Sequence, residues 1–153
     1  MMTTDSIPAL DLHPATSADF DWLLGSGEIA RPWSVAPDLA PAGVIEIVRT
    51  LPANWLIVAG DEVVGIIGLK TEAAGHAEIG YGVAASRGRQ GLASAAVAAL
   101  LPVLNARQIV AVTAETSVDN TASQRVLDRN GFVRIGGRVD EEDGPVIVWE
   151  RRV

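Results

Sequence analysis

Residues 78–104 read EIGYGVAASRGRQGLASAAVAALLPVL, and the elements they encode decide how the rest of the chain is organised. Ala77–Val83 has the composition of a strand. Ala84-Ala85-Ser86 turns it into a basic, glycine-bearing loop, Arg87-Gly88-Arg89-Gln90-Gly91. Beyond the loop, Leu92, Ala96, Ala99, Leu100 and Val103 recur at a spacing that predicts a helix. A strand, a glycine loop and a helix N-terminus together make a place for an anion. The first helical turn has backbone N–H groups without partners inside the helix, and the macrodipole favours negative charge there. Gly88 and Gly91 let a large oxyanion approach the backbone, and Arg87 and Arg89 add positive field. On the residues alone this is an anion site and no more.

Composition bounds what can use that site. The chain has 153 residues, enough for one domain (1–153) with a proper core. It is 48% hydrophobic and 20% charged, the balance of a water-soluble globular protein. No apolar run approaches the roughly 20 residues of a membrane span, and MMTTDS lacks the pattern of a signal peptide, so no membrane partner is expected and the cytoplasm is the expected compartment. There is no cysteine, which excludes disulfides, thiolate metal sites and a cysteine nucleophile. His13 and His76 are too isolated to predict a metal site. A formal net charge of −7 argues against nucleic acid and is compatible with a cationic small partner.

Outward from the central stretch, Ala9–His13 predicts an edge strand that stops at Pro14. Thr16 or Ser17 can cap a short helix through Asp19–Leu24, ended by Gly25 and Gly27. Residues 28–41 carry three prolines and predict a loop. A second helix, Ala42–Thr50, is expected to bury Val44, Ile47 and Val48. Trp55–Ala59 and Val63–Lys70 form a hairpin around Gly60-Asp61-Glu62, and residues 72–76 turn into the central strand. Past the central helix, Ile109–Glu115 alternates like a buried strand. Asp119-Asn120-Thr121 caps a helix ending at Asn130-Gly131, and Phe132–Val139 with Val146–Arg151 makes a final hairpin. The order β-α-α-β-β-β-α-β-α-β-β predicts an α+β fold with one strand–helix–strand crossover over 77–115. Parallel pairing across it would put the basic loop at a carboxyl strand end, where open sheets bind ligands.

Three pieces in this order resemble the Gcn5-related N-acetyltransferase (GNAT) superfamily, and within it the RimJ/RimL-like branch. They are Glu78-Ile79-Gly80-Tyr81, then Gly91-Leu92-Ala93-Ser94, then Asn120-x-Ala122-Ser123-x-Arg125-Val126-Leu127-x-x-x-Gly131-Phe132. The third is the most specific, fixing eight positions; weaker similarity runs from about Leu10 to the C-terminus. The superfamily's phosphate signature, Gln/Arg-x-x-Gly-x-Gly/Ala, is met at Gly91 and Ala93, with Gly88 in its first slot. The resemblance implies a mixed, mostly antiparallel central sheet of about seven strands flanked by about four helices, with strands splayed at a cofactor cleft. It also implies acetyl-CoA (coenzyme A) as acyl donor.

Residue by residue, the resemblance puts the pyrophosphate on the loop amides from Arg89 to Ala93, with Arg87, Gly88, Gln90, Gly91, Leu92 and Ser94 beside it. The pantetheine arm would lie along Tyr81, Gly82, Val83 and Ala84, with Asn120 and Ser123 contacting it from the next helix. Acyl transfer then requires an aligned amine, a proton acceptor and a donor to the oxyanion. Glu78 resembles the glutamate base of histone acetyltransferases in the superfamily, and Glu115 is the second candidate. Many relatives place an acidic tyrosine four residues before the Gly-Phe pair. Leu127 occupies that slot here, so water or Tyr81 must serve, or the thiolate leaves unaided. Trp22, Glu28, Trp33 and Asp38 are expected near the acceptor pocket, although a tryptophan beside an apolar run is more often core.

The expected activity is direct acetyl transfer, in a ternary complex, to a primary amine of a protein N-terminus or a small molecule. A monomer or homodimer is expected. A non-catalytic CoA-binding sensor of the same fold is the alternative. A dinucleotide site at Gly80-x-Gly82-x-x-Ala85 fails, because a basic loop rather than a helix follows it.

Overall fold

The computed structural model describes residues 9–27 and 30–153. Glu28 therefore lies outside the described residues. The elements are β1 (Leu10–Pro14), α1 (Ser17–Leu23), β2 (Ser34–Val35), α2 (Ala42–Val48), β3 (Ala53–Ala59), β4 (Glu62–Ala73), β5 (His76–Val83), α3 (Leu92–Ala106), β6 (Ala111–Ser117), α4 (Thr121–Arg129), β7 (Val133–Asp140) and β8 (Gly144–Arg152). They build one sheet in the order β1-β3-β4-β5-β6-β8-β7, with the two-residue β2 added to β4. Pairing is antiparallel except for β2 with β4 and β5 with β6. The α+β order predicted from sequence is the observed one, with β2 added inside the predicted loop.

Hairpin turns set the register. Between β4 and β5 the predicted five-residue turn is shorter: Ala73 pairs with His76, leaving Ala74 and Gly75 as the turn. Both sit at positive φ, 51° and 78°, the conformation that matches the twist of the flanking strands. An alanine there gives no turn signal in the sequence, which is why the strands were expected to stop earlier.

The sheet buries two faces unequally. On one, α3 and α4 cover Ile57, Ile67, Leu69, Ile79, Val112, Ala114 and Trp149, with Leu92, Ala96, Val97, Leu100, Leu104 and Leu127 supplying the helix side. The buried stripe of α3 runs through Val97 and Leu104, whereas Ala99 is exposed. The fully buried Trp149 indole donates to Thr116 Oγ1 at 2.9 Å, so this core leaves that donor satisfied. On the other face, Trp22, Leu23, Trp33 and Leu39 pack over Leu56, Val58 and Val63. Here α2 departs from expectation. Val44 and Ile47 are 46% and 68% exposed while Ile45 is buried. In two helical turns the stripe through Val44 and that through Ile45 are equally plausible by period, and only packing chooses between them.

β5 and β6 pair only from His76 to Ile79 and from Ala111 to Ala114. Past that point β5 stays bound to β4 as far as Val83, and β6 stays bound to β8 as far as Ser117. The sheet is thus split along one seam, with α3 starting just beyond it.

Candidate active site

The seam exposes particular backbone groups. The Ala84 N–H donates to Val64 O at 2.8 Å, so even-numbered residues at this end of β5 direct their peptide groups toward β4. By alternation, the N–H and C=O of Tyr81 and Val83 point into the split.

The other wall of the split is the start of α3. Its N-cap is Gly91 at φ 75°, preceded by Arg89 at φ 63°, and no side chain caps the helix. The Ala95 N–H is the first to bond back into the helix, to Gly91 O. The amides of Leu92, Ala93 and Ser94 are left without an intrahelical acceptor. α4 is the contrast: Asn120 closes its first turn by accepting from the Ser123 N–H at 3.1 Å. One helix end is sealed and the other is open.

Between them lies a cavity of about 530 Å³, walled by the end of β5, the loop 87–94 and one face of α4. Of the residues predicted from sequence, Tyr81, Gly82, Val83, Arg87, Gly88, Arg89, Gly91, Leu92, Ala93, Ser94, Asn120 and Ser123 line it. Two do not. Ala84 is 1% exposed with its N–H committed to β4, and Gln90 is exposed on the outside of the loop. The sequence reading missed Ala122, Arg125, Val126 and Arg129, which line the cavity from α4. Their spacing was the available signal, since positions 122, 125, 126 and 129 share one helical face.

The loop is braced from behind. Asp38 accepts from the Ser86 N–H at 2.9 Å and from the Ser86 hydroxyl, and these bonds hold its pKa below the usual carboxylate range. Glu62 takes the Arg87 guanidinium in a two-point pair at 2.6 and 2.9 Å, which lowers the Glu62 pKa. Arg87 is therefore largely neutralised. Its pair with Glu62 offsets much of the positive field and anchors the loop, while Arg87 still lines the cavity.

Tyr81 lies at the foot of the cleft, its hydroxyl donating to Ser123 O at 3.2 Å. Burial raises its pKa, so the phenol keeps its proton. Ala77, Ile79 and Tyr81 face the α3 side, so Glu78 faces the opposite side of the sheet. There it stands 3.6 Å from Lys70 Nζ and a quarter exposed. Glu115 shares that side, held by Arg138 at 2.6 and 2.7 Å, and the Arg138 hydrogen bonds lower its pKa. Neither glutamate lines the cavity. Both sit beside the seam on its far side, where an amine could meet an acyl group passing through.

The residues expected at the acceptor pocket fare differently. Trp22 and Trp33 do not line the cavity; they pack edge to face, ring centroids 6.2 Å apart, over the second core cluster. Their apolar area is worth more against Leu56 and Val58 than in solvent. Leu127, in the tyrosine slot, is fully buried.

The family profile for the acetyltransferase (GNAT) domain matches residues 10–133. No curated protein matches the chain significantly in sequence. Among solved structures, RimJ of Mycobacterium smegmatis in complex with CoA-disulfide superposes with a TM-score of 0.71 at 22% identity, covering 96% of this chain and 83% of its own. A RimL ribosomal L7/L12 α-N-protein acetyltransferase with coenzyme A gives 0.73 at 21%, covering 97% and 96%. The acetyltransferase of Salmonella typhimurium that modifies the N-terminal serine of L7/L12 gives 0.72 at 20%, covering 97% of each chain. At these identities the superpositions speak for the fold, and the profile, spanning most of the chain, speaks for the family. With its split sheet and open helix end, the chain belongs to the GNAT family of acetyl-CoA-dependent N-acetyltransferases.

Proposed function

We propose that the chain transfers acetyl directly from acetyl-CoA to a primary amine, with both substrates bound at once and no acyl-enzyme formed. The observation that carries this reading is the seam beyond Ile79 and Ala114, where β5–β6 pairing ends beside the uncapped α3 amides. The uncapped amides of Leu92, Ala93 and Ser94 suit a pyrophosphate, and the free peptide edge of Tyr81 and Val83 suits the amides of a pantetheine arm. When bound, acetyl-CoA supplies an acyl group already activated as a thioester.

What remains for the chain is alignment and proton movement. The Val83 N–H, pointing into the split, is the donor assigned to the developing oxygen anion. Glu78 is the assigned proton acceptor from the incoming ammonium, since it stands beside the seam, a quarter exposed, with Lys70 Nζ 3.6 Å away and no arginine fork on it among the described residues. Glu115 is a weaker base, because Arg138 stabilises its ionised form. Tyr81, kept protonated by burial, is the assigned proton source for the departing thiolate.

The acceptor is proposed to be a protein N-terminus or a small-molecule amine, the first favoured by the RimL neighbours that modify a ribosomal protein. The cytoplasm, which holds acetyl-CoA, is the proposed setting; among the described residues no helix is long and apolar enough to cross a membrane. Thiol release from acetyl-CoA, followed over a panel of N-terminal peptides and small amines, tests the assignment. Turnover on at least one acceptor class is expected. Tight CoA binding with no turnover on any amine would favour the non-catalytic sensor, a reading that the buried Leu127 in the tyrosine slot keeps in view.

A further inference from the structure

The chain carries twelve basic side chains against nineteen acidic ones, so an unpaired cation is a scarce thing in it. Arg31, Arg49, Lys70, Arg87, Arg107 and Arg138 are each in an ion pair. Arg134 donates to Gln124 and lies over the Trp149 ring, and Arg151 donates to Asn130 O. Four arginines have no side-chain hydrogen bond or ion pair among the described residues: Arg89, Arg125, Arg129 and Arg152. Arg152 is on the last turn-away residue of β8, opposite Ala111 and so at the far end of the sheet from the seam. The other three all line the 530 Å³ cavity.

That distribution is unlike ordinary surface charge. Arg129 in the last turn of α4 is explained by the helix dipole alone, but Arg125 and Arg89 are not. Arg125 and Arg129 are also four residues apart on one face, a like-charge spacing that works against the helix unless an anion lies between them. Arg89, moreover, holds a left-handed backbone, φ 63°, in the loop facing them. The pyrophosphate is already provided for by the α3 amides, which leaves three guanidinium groups without an assigned anion.

Coenzyme A carries one more phosphate, the monoester at the 3′ position of its ribose. We propose that Arg125 and Arg129, joined by Arg89, form a separate subsite for this phosphate monoester, so that the protein selects the 3′-phosphorylated donor over its dephospho form. Guanidinium groups bind a terminal phosphate through paired N–H donors, a geometry that a helix end cannot reproduce for a second phosphate. The subsite rests on the reading that CoA occupies this cavity.

Calorimetric titration of the full chain with CoA and with 3′-dephospho-CoA tests it. Wild type should bind CoA at least about tenfold more tightly, and this preference should shrink as salt is raised because the arginines are exposed. The double substitution Arg125→Gln and Arg129→Gln, on an exposed face, should bring the two dissociation constants together by weakening CoA. Lysine at both positions should restore part of the preference. Equal affinity of wild type for both ligands, or an unchanged preference in the double variant, would overturn the subsite while leaving the cavity as the CoA site. Failure of wild type to bind either ligand would overturn both.

Discussion

Asp38, in the segment before α2, holds Ser86, at the start of the loop that leads into α3, by its N–H at 2.9 Å and by its hydroxyl. Two parts of the chain 48 residues apart are thereby tied at the mouth of the cleft. Together with Glu62 on Arg87, this fixes where the backbone rises toward Gly91. The loop thus presents its amides in one arrangement before any ligand arrives, and the cost of ordering it is met during folding. Asp38→Ala should therefore weaken CoA by about fivefold through a residue that does not line the cavity. Titration of the variant checks this, and an unchanged affinity would show that the brace is dispensable.

Gly91 caps α3 at φ 75°, where an alanine is strained by about 1–2 kcal/mol. Gly91→Ala should lower stability by about that amount and, by crowding the open amides, weaken CoA by more than the stability loss explains. Thermal melts and titrations on the same samples separate the two effects. A destabilised variant with wild-type affinity would mean that the amides are not the contact.

Glu78→Gln should reduce kcat by about 10²- to 10³-fold near neutral pH while CoA affinity is kept. Glu115→Gln should cost less, because the carboxylate it removes is already engaged by Arg138. Steady-state rates on the best acceptor decide the order. If the Glu78 variant turns over like wild type, the proton goes to Glu115 or to water.

Asp19 is 1% exposed and joins three segments: it accepts from the Thr16 N–H at 2.8 Å, from Arg31 Nε at 2.6 Å, and stands 3.2 Å from His13 Nε2. Burial pushes its pKa up, but the hydrogen bonds from Thr16 and Arg31 outweigh it and leave the pKa lowered. A carboxylate with a depressed folded pKa contributes stability that is present above its unfolded pKa, about 3.9, and is lost as pH falls through the folded value. Glu115, also depressed, acts in the same direction. Melting temperature should hold level from neutrality to about pH 5 and fall below about pH 4. Asp19→Asn should cost about 3 kcal/mol at pH 7, since it leaves Arg31 without its partner, and should flatten the acid limb. A melting temperature unchanged by the substitution would contradict this.

Much of this molecule was legible before its structure. The order of elements along the chain, the crossover and the open start of α3 follow from period, glycines and caps, all of which are local. Most of the cavity wall was legible for the same reason, since most of the contiguous stretch 81–94 is in it, and Asn120 and Ser123 open a helix. What stayed hidden was relational. The Arg87–Glu62 pair spans 25 residues, and no local pattern shows that an arginine of the loop is also its anchor. Likewise, no spacing rule places Glu78 and Glu115 on the side of the sheet away from the cavity until β5 and β6 are paired. The cavity side of α4 was hidden for a different cause: Arg125 and Arg129 stand out only once the paired arginines have been set aside and the cavity walls are known.

The most direct test follows the backbone amides of Leu92, Ala93 and Ser94 by NMR as CoA is added. The account predicts that these resonances move together and saturate with the dissociation constant found by calorimetry. Saturable CoA binding that leaves those three amides unmoved would contradict it.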